Sequence, residues 1–243
     1  MNVKNYIMKR KVIIIIIIII LMAVFAYGIY YVNDYSHADD VAQKYINGTD
    51  DVSVIKTGNG LLLDGPGNDT ALIFYPGAKV EYTSYLPLLT QISGNGTDCF
   101  LVEMPFNLAF MGINSADDII NEYDYGHYVL SGHSLGGVMA AQYVNETNNT
   151  DALILLGAYS TKHIDKPVLS IYGSQDKVLN MDAYNENHQF ISKNLTEVVI
   201  DGGNHAQIGN YGTQQGDGIA KITPQKQQDE ITEEIINFLN KNR

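Results

Sequence analysis

One serine in the sequence has the surroundings of a catalytic nucleophile. Ser134 lies in Gly132-His133-Ser134-Leu135-Gly136, which has the spacing G-x-S-x-G. The residues before it, 127–132, have the pattern of a buried strand, and residues 135–146 have that of a helix. A serine on such a sharp turn is exposed at the sheet edge, and the Leu135 N–H can stabilise an oxyanion. The alternative is a glycine-rich turn that only packs the helix closely on the strand.

A nucleophilic serine needs a general base, and the base needs an acid that orients it. Asp176 follows the strand predicted over 167–173, and His205 follows the strand predicted over 196–201. The chain order serine, acid, histidine is the one expected for a nucleophile on a strand-to-helix turn. Asp182, which lies further on at the start of a predicted helix, is the alternative acid.

The loop after the strand predicted over 70–76 is the expected source of a second oxyanion donor. It contains Gly77 and Ala78. Gly77 allows close approach of another chain segment, and the backbone N–H of Ala78 is the expected donor. An ordinary Pro-Gly turn is the alternative interpretation.

Other residues near the predicted strand ends are expected to contact substrate. Glu103, Met104 and Phe106 follow or end the strand predicted over 98–104, and Gln207 lies just after His205. Together with Gly77 they are predicted to form the substrate wall and its polar rim. A solvated strand end for Glu103 and a buried turn for Met104 and Phe106 are the alternatives.

These residues require a framework of strands that alternate with helices. Continuous apolar strands of this kind predict an α/β fold with a mostly parallel sheet of about eight strands, covered by helices on both faces. The first two strands are expected to be antiparallel. The strands are predicted over 52–56, 61–64, 70–76, 98–104, 127–132, 151–157, 167–173 and 196–201, and the helices over 81–93, 115–123, 135–146, 181–193 and 229–240.

The first part of the chain has the composition of a membrane anchor. A basic tail over 1–11 precedes an uncharged run over 12–32, which as a helix would be roughly 31 Å long. A linker is expected over 33–50 and the catalytic domain over 51–243. The positive-inside rule places the N-terminus in the cytoplasm and the domain outside the cell membrane. A cleavable signal peptide is the alternative, and it exports the domain equally.

Six Asn-X-Thr sequons agree with export and predict N-glycosylation. Asparagine-rich loops that match the pattern by accident are the alternative. The sequons begin at Asn47, Asn68, Asn95, Asn145, Asn148 and Asn194. All except Asn47 come just before a predicted strand, so we expect those five at the sheet edge opposite Ser134.

Charge and cysteine content exclude other classes of protein. The net charge is −12, and the first 32 residues are basic, so the remaining chain is strongly acidic and unsuited to nucleic acid. The single cysteine, Cys99, excludes an intramolecular disulfide and a cysteine-rich zinc site, and it is expected to be a small core residue.

Several segments together resemble the α/β-hydrolase superfamily, and more narrowly its small lid-less "α/β hydrolase fold-5" group, which is related to dienelactone hydrolases. The segments are FYPGAKVEYTSYLPLL, MPFNLAF, GHSLGG, IYGSQDKV and GGNHAQIGNYG. The resemblance implies an esterase-like hydrolase with no metal or other cofactor. It implies Ser134 as nucleophile, Asp176 as acid, His205 as base, and oxyanion donors at Ala78 and Leu135.

The sequence therefore predicts a membrane-anchored extracytoplasmic serine hydrolase of carboxylic esters or thioesters. The link over 158–166 is too short for a large lid, so the site is expected to be open. The alternatives are an amidase or acyltransferase that uses the same residues, and a non-catalytic surface-binding module on a hydrolase scaffold.

Overall fold

The computed structural model describes residues 3–67, 69–191 and 194–242. The chain divides into two units, residues 1–35 and residues 36–243. The first unit contains helix α1 (Val3–Asn33). Within it, Lys9–Asn33 is apolar enough and long enough to cross a membrane, a property that a signal sequence near an N-terminus shares.

The second unit is built on an eight-stranded sheet in the order β1-β2-β4-β3-β5-β6-β7-β8. Strands β3 to β8 are parallel, whereas β2 is antiparallel to both of its neighbours, as expected for the first hairpin. The strands are β1 (Ser53–Thr57), β2 (Gly60–Asp64), β3 (Thr70–Tyr75), β4 (Asp98–Val102), β5 (His127–His133), β6 (Ala152–Leu156), β7 (Val168–Gly173) and β8 (Leu195–Ile200).

Helices cover both faces of the sheet, as the continuous apolar strands predict. Alternate residues of β3 point to opposite faces, so that Leu72 and Phe74 join one core while Ala71 and Ile73 join the other. The first core includes buried residues of α3 and α7, and the second those of α4 and α5. The helices of this unit are α2 (Asp40–Gln43), α3 (Leu86–Gly94), α4 (Ser115–Glu122), α5 (Leu135–Glu146), α6 (Met181–Asn187) and α7 (Pro224–Lys241).

The strand order reverses between β3 and β5, and this reversal creates the crevice in which the site lies. β3 pairs with β4 on one side and with β5 on the other. Loops that leave the two strands must therefore diverge to opposite sides, and open parallel sheets bind ligands at such points. Tyr75 pairs with Gly132 at the end of this ladder, so the Ala78 loop begins beside the Ser134 turn.

Helix boundaries differ from the predicted ones for local reasons. Helix α7 begins at Pro224, five residues before the predicted start, because Thr223 caps it by accepting the Lys226 N–H. The helix expected over 81–93 begins as a 3₁₀ turn at Tyr82–Tyr85 and continues as α3. The helix expected over 181–193 ends at Asn187, and residues 192–193 lie outside the described part of the chain.

The segment expected as a linker over 33–50 is bound to the domain from Ser36 onward. Ser36 forms a parallel bridge with Val80, and Ala42 of helix α2 is fully buried. Asp39 caps α2 by accepting the N–H groups of Val41 and Ala42. A run of polar residues without long periodicity resembles a linker in sequence, and its pairing partners lie far away in the chain.

Candidate active site

Ser134 lies on the turn between β5 and α5, as the motif predicts. Its backbone has a φ of 53°, a conformation that costs a non-glycine residue energy and that surrounding structure must maintain. The Ser134 N–H donates to the carbonyl of Leu156 in β6 at 3.0 Å. The turn is therefore held against β6, and Ser134 remains partly exposed.

The glycines around Ser134 are required by close backbone contacts. A Cβ on Gly132 would lie 2.5 Å from the carbonyl carbon of Gly136, and one on Gly136 would overlap the carbonyl oxygens of Tyr75 and Pro76. Helix α5 can thus begin directly against β5 and against the end of β3. This proximity places the loop after β3 beside the Ser134 turn.

Asp176 and His205 form a buried hydrogen-bonded pair. His205 Nδ1 lies 2.8 Å from Asp176 Oδ2, and the two side chains are 1% and 0% exposed. The other carboxylate oxygen, Oδ1, accepts the N–H groups of Val178 and Leu179 at 2.9 and 2.8 Å. An ionised carboxylate only accepts hydrogen bonds, so the neutral histidine tautomer that fits this contact carries its proton on Nδ1.

The free nitrogen of His205 is available to a nucleophile. Among the described residues, no hydrogen-bond partner contacts the buried Nε2. Ser134 and His205 line one pocket of about 220 Å³. Asp182 is exposed at the start of α6 and takes no part in the His205 contact, which Asp176 makes. His205, oriented by Asp176, thus lines the same pocket as the partly exposed Ser134.

The two expected oxyanion donors lie at the ends of neighbouring strands. Leu135 is the first residue of α5, where the helix N-terminus concentrates N–H groups that lack intrahelical acceptors. The Ala78 N–H has no acceptor within the described part of the chain, and Ala78 is partly exposed. The Gly77 N–H, in contrast, donates to the Tyr85 hydroxyl oxygen at 3.1 Å.

Tyr85 is a residue of the site that sequence reasoning missed. Its hydroxyl also lies 2.8 Å from His133 Nδ1, so one buried tyrosine joins the Ala78 loop to the residue before Ser134. A Cβ on Gly77 would lie 3.0 Å from both of these side-chain atoms, which explains the glycine there. The sequence around Tyr85 contains no motif that predicts these two hydrogen bonds.

His133, the residue before Ser134, is buried behind the site. Its ring centre lies 4.4 Å from that of His205. Burial and the neighbouring His205 hold the pKa of His133 well below its ordinary value, and burial raises that of Tyr85. His133 is therefore neutral, and it adds no positive charge beside the base.

Gly157 is a second residue that sequence reasoning missed. It follows β6, has a φ of +54°, and lies directly against the acid–base pair. A Cβ there would be 2.9 Å from His205 Nδ1 and 3.3 Å from Asp176 Oδ2. In the sequence, only a glycine at the end of a buried strand marks this position. That glycine does not reveal which side chains pack against it.

None of the five residues predicted for the substrate wall is among the described residues that line the pocket of Ser134. Met104 is 3% exposed and packs in the core around β4, so it cannot form a wall. Gly77 is buried against Tyr85 and His133, and Gln207 lines a separate pocket with Asn210. Glu103 and Phe106 are exposed, outside the pocket of Ser134.

Other side chains form the wall instead. They come from α5, from the loop after β6 and from the loop after Asp176, because these segments adjoin the ends of β5, β6 and β7. Besides Ser134 and His205, the lining residues are Leu135, Val138, Gly157, Ala158, Tyr159, Val178, Leu179 and Asn180.

A family model described as "Alpha/beta hydrolase family" matches residues 71–229, a span that contains every residue of this pocket. The chain belongs to the alpha/beta hydrolase family. As a family member it is a hydrolase, and its sheet order and helix placement are those of the alpha/beta hydrolase fold. Among curated protein sequences, none matches this chain significantly.

Solved structures share the fold at low sequence identity. TT1662 from Thermus thermophilus has a TM-score of 0.58 at 12% identity, covering 78% of this chain and 97% of its own. The mouse alpha/beta hydrolase domain-containing protein 10 has a TM-score of 0.57 at 12% identity, covering 78% and 98%. Est1E from Butyrivibrio proteoclasticus has a TM-score of 0.55 at 15% identity, covering 78% and 99%. At these identities the similarity shows the fold alone.

We expect Gly157→Ala to lower kcat by about 10²-fold, because the added methyl group would push His205 away from Asp176 and misplace Nε2. Gly212→Ala is the matched control. Gly212 has a φ of +85° and open space around its Cβ position, so it shares the backbone strain without the contact. Hydrolysis of a p-nitrophenyl ester by the two variants and the wild type is the measurement. Equal losses in the two variants would show that backbone strain, and not His205 displacement, is responsible.

Proposed function

We propose that this hydrolase cleaves carboxylic esters or thioesters through an acyl-enzyme formed on Ser134. The observation that carries the proposal is the buried Asp176–His205 pair, whose free Nε2 shares a pocket with the strained, partly exposed Ser134. A scaffold retained only for binding has no need of a serine, a histidine and an aspartate in this arrangement.

The residues support two successive acyl transfers. Ser134 Oγ attacks the carbonyl carbon of the ester while His205 Nε2 accepts its proton, and Asp176 stabilises the resulting imidazolium. The Ala78 and Leu135 N–H groups bind the oxyanion. His205 then protonates the departing alcohol or thiol. A water molecule, deprotonated by His205, attacks the acyl-enzyme and releases the acid and free Ser134.

The size of the pocket favours a short acyl group. Its volume of about 220 Å³ is below the range of roughly 300–1,000 Å³ typical of sites that enclose a drug-sized ligand. The chain between β6 and β7 contains no helix, so the described residues provide no helical lid there. A lipase that buries long acyl chains would need a deeper site.

We propose further that α1 anchors the protein, with the N-terminus in the cytoplasm and the catalytic domain outside. The basic residues Lys9, Arg10 and Lys11 precede the apolar run, and Asp34 follows it, as the positive-inside rule requires. Cleavage of the run as a signal sequence would instead release the same domain.

N-glycosylation is part of this proposal, for a host that performs it. Asn95, Asn145, Asn148 and Asn194 are exposed and precede parallel strands at the edge opposite Ser134. Strands of five or six residues separate the two edges by roughly 17–20 Å, so glycans there would not obstruct the pocket. Asn47 is also exposed, and Asn68 lies outside the described residues. Peptide mass mapping of the protein from a glycosylating host is expected to find these sequons occupied, and uniformly bare asparagines would contradict this.

Ser134→Ala is expected to abolish ester turnover and fluorophosphonate labelling while the protein stays folded, because only one oxygen atom is lost. The measurement is probe labelling located by mass spectrometry, together with p-nitrophenyl ester hydrolysis and circular dichroism. Wild-type protein that is folded but neither labels nor turns over any ester would favour the binding-module alternative.

Asp176→Asn is expected to lower kcat by a factor on the order of 10⁴, because an amide does not stabilise the required histidine tautomer or the imidazolium. Asp182→Asn is the matched control, since Asp182 is exposed and makes no contact with His205. Rates for both variants on one ester decide the question. A larger loss in Asp182→Asn would mean that the acid has been misassigned.

A further inference from the structure

The chain segment that enters the domain is attached to the loop of an oxyanion donor. We call residues 36–42 the strap. The Ser36 N–H donates to the Lys79 carbonyl at 2.8 Å, and the Glu81 N–H donates to the Ser36 carbonyl at 2.8 Å. Lys79 directly follows Ala78. The strap thus begins at the same edge of the sheet as the catalytic pocket.

A second loop of the site holds the strap as well. The Asp39 N–H donates to the carbonyl of Asn210, and the Asn210 N–H donates to the carbonyl of Ser84, both at 2.8 Å. Asn210 belongs to the loop that carries His205. The Ala38 N–H donates to the Glu81 carboxylate at 3.1 Å. These bonds fix the first residues of the domain at its catalytic edge.

The covalent chain limits how far this edge can be from a membrane that holds the apolar run. The uncharged run ends at Val32, four residues before Ser36. Four residues span at most about 14 Å even when fully extended. Whatever direction the helix takes, an uncleaved anchor keeps Ser36 within that distance of the point where the run ends, and the Lys79 carbonyl lies one hydrogen bond beyond Ser36.

Large apolar side chains are exposed at this same edge. Phe106, Phe110 and Met111 follow β4, and the Lys79 N–H donates to the Asn107 carbonyl in the same segment at 2.8 Å. Phe110 is 53% exposed. Ile219, in the segment between His205 and α7, is 89% exposed. The exposed apolar side chains that follow β4 lie within one short segment, and a run of this kind indicates contact with an apolar partner.

The opposite edge of the sheet carries exposed polar side chains. It carries the exposed asparagines of four sequons, Asn95, Asn145, Asn148 and Asn194. Glycans there would extend into water and could not enter a bilayer. The edge with the pocket therefore carries exposed apolar side chains, and the opposite edge carries polar ones. A membrane surface on the side of the pocket would require this difference.

We propose that the catalytic edge faces the outer leaflet of the membrane and that the substrate is an ester held in the bilayer. The inference rests on the function proposed above. The pocket accepts the ester carbonyl and a short acyl group, and the alcohol part of the substrate stays among the lipids. Apolar contact by Phe110 and Ile219 brings the open pocket to the depth at which such an ester lies.

Depth-dependent quenching tests the orientation without any use of catalysis. Full-length protein is reconstituted in phosphatidylcholine vesicles and carries a fluorophore at Phe110→Cys, or, as the matched control, at Asn149→Cys on the opposite edge. The native Cys99 is buried and does not compete for the label. We expect brominated phosphatidylcholine to quench position 110 at least threefold more than position 149. Equal quenching, or stronger quenching at 149, would overturn the proposal.

Two esters of one fluorogenic alcohol test the substrate class. One is a soluble butyryl ester, and the other is the same ester attached to a lipid and placed in the vesicles. Phe110→Ser/Ile219→Ser is expected to lower turnover of the lipid-attached ester about tenfold and to leave the soluble ester unchanged. Ile55→Ser, which changes an exposed apolar residue in the middle of β1, is the matched control and is expected to leave both rates unchanged.

The outcomes separate this inference from the proposed function. Turnover of the soluble ester without preferential quenching at position 110 would contradict the proposed orientation and support the proposed hydrolysis of esters. Preferential quenching at position 110 without turnover of either ester would support the proposed orientation and contradict the proposed hydrolysis of esters. Position 110 shielded from water but unquenched by brominated lipid would indicate a second protein chain on this edge, which overturns the proposal.

Discussion

The contact between helix α5 and the ends of β3 and β5 is the constraint on which the rest of the site depends. Gly132 and Gly136 lie so close to neighbouring backbone that any side chain there would overlap it. This closeness accompanies the sharp turn at Ser134 and its positive φ, and it brings the Ala78 loop beside Ser134. The strain at Ser134 persists because the Leu156 carbonyl and the first turn of α5 hold the residue from two directions.

Behind this contact lies a buried polar layer that couples the parts of the site. Asp176 has both oxygens occupied, one by His205 and one by two backbone N–H groups, so the carboxylate cannot rotate without losing bonds. Tyr85 connects the Gly77 N–H with His133, whose ring lies beside that of His205. Buried polar groups cost free energy when unpaired, and the shared bonds of this layer therefore resist displacement of any single member.

The strap, the first residues of the domain, is hydrogen-bonded to two loops of the same site. Its backbone joins the Ala78 loop to the His205 loop through Ser36 and Asp39. Because the strap is bound to this edge of the sheet, the edge must stay close to the end of the apolar run that precedes the strap. The short tether, the exposed apolar side chains after β4 and the polar opposite edge are the observations on which the proposed membrane orientation rests.

Local pattern determined the succession of strands and helices, the turn at Ser134 and the places of Asp176 and His205, because period, glycine spacing and strand ends are properties of neighbouring residues. Only the tertiary structure decided which contacts those residues make. It placed Tyr85 and Gly157 at the site, removed Met104 to the core and bound residues 36–42 to the domain. The physical reason is that each of these outcomes depends on atoms far apart in the chain, which meet only when both faces of the sheet are packed.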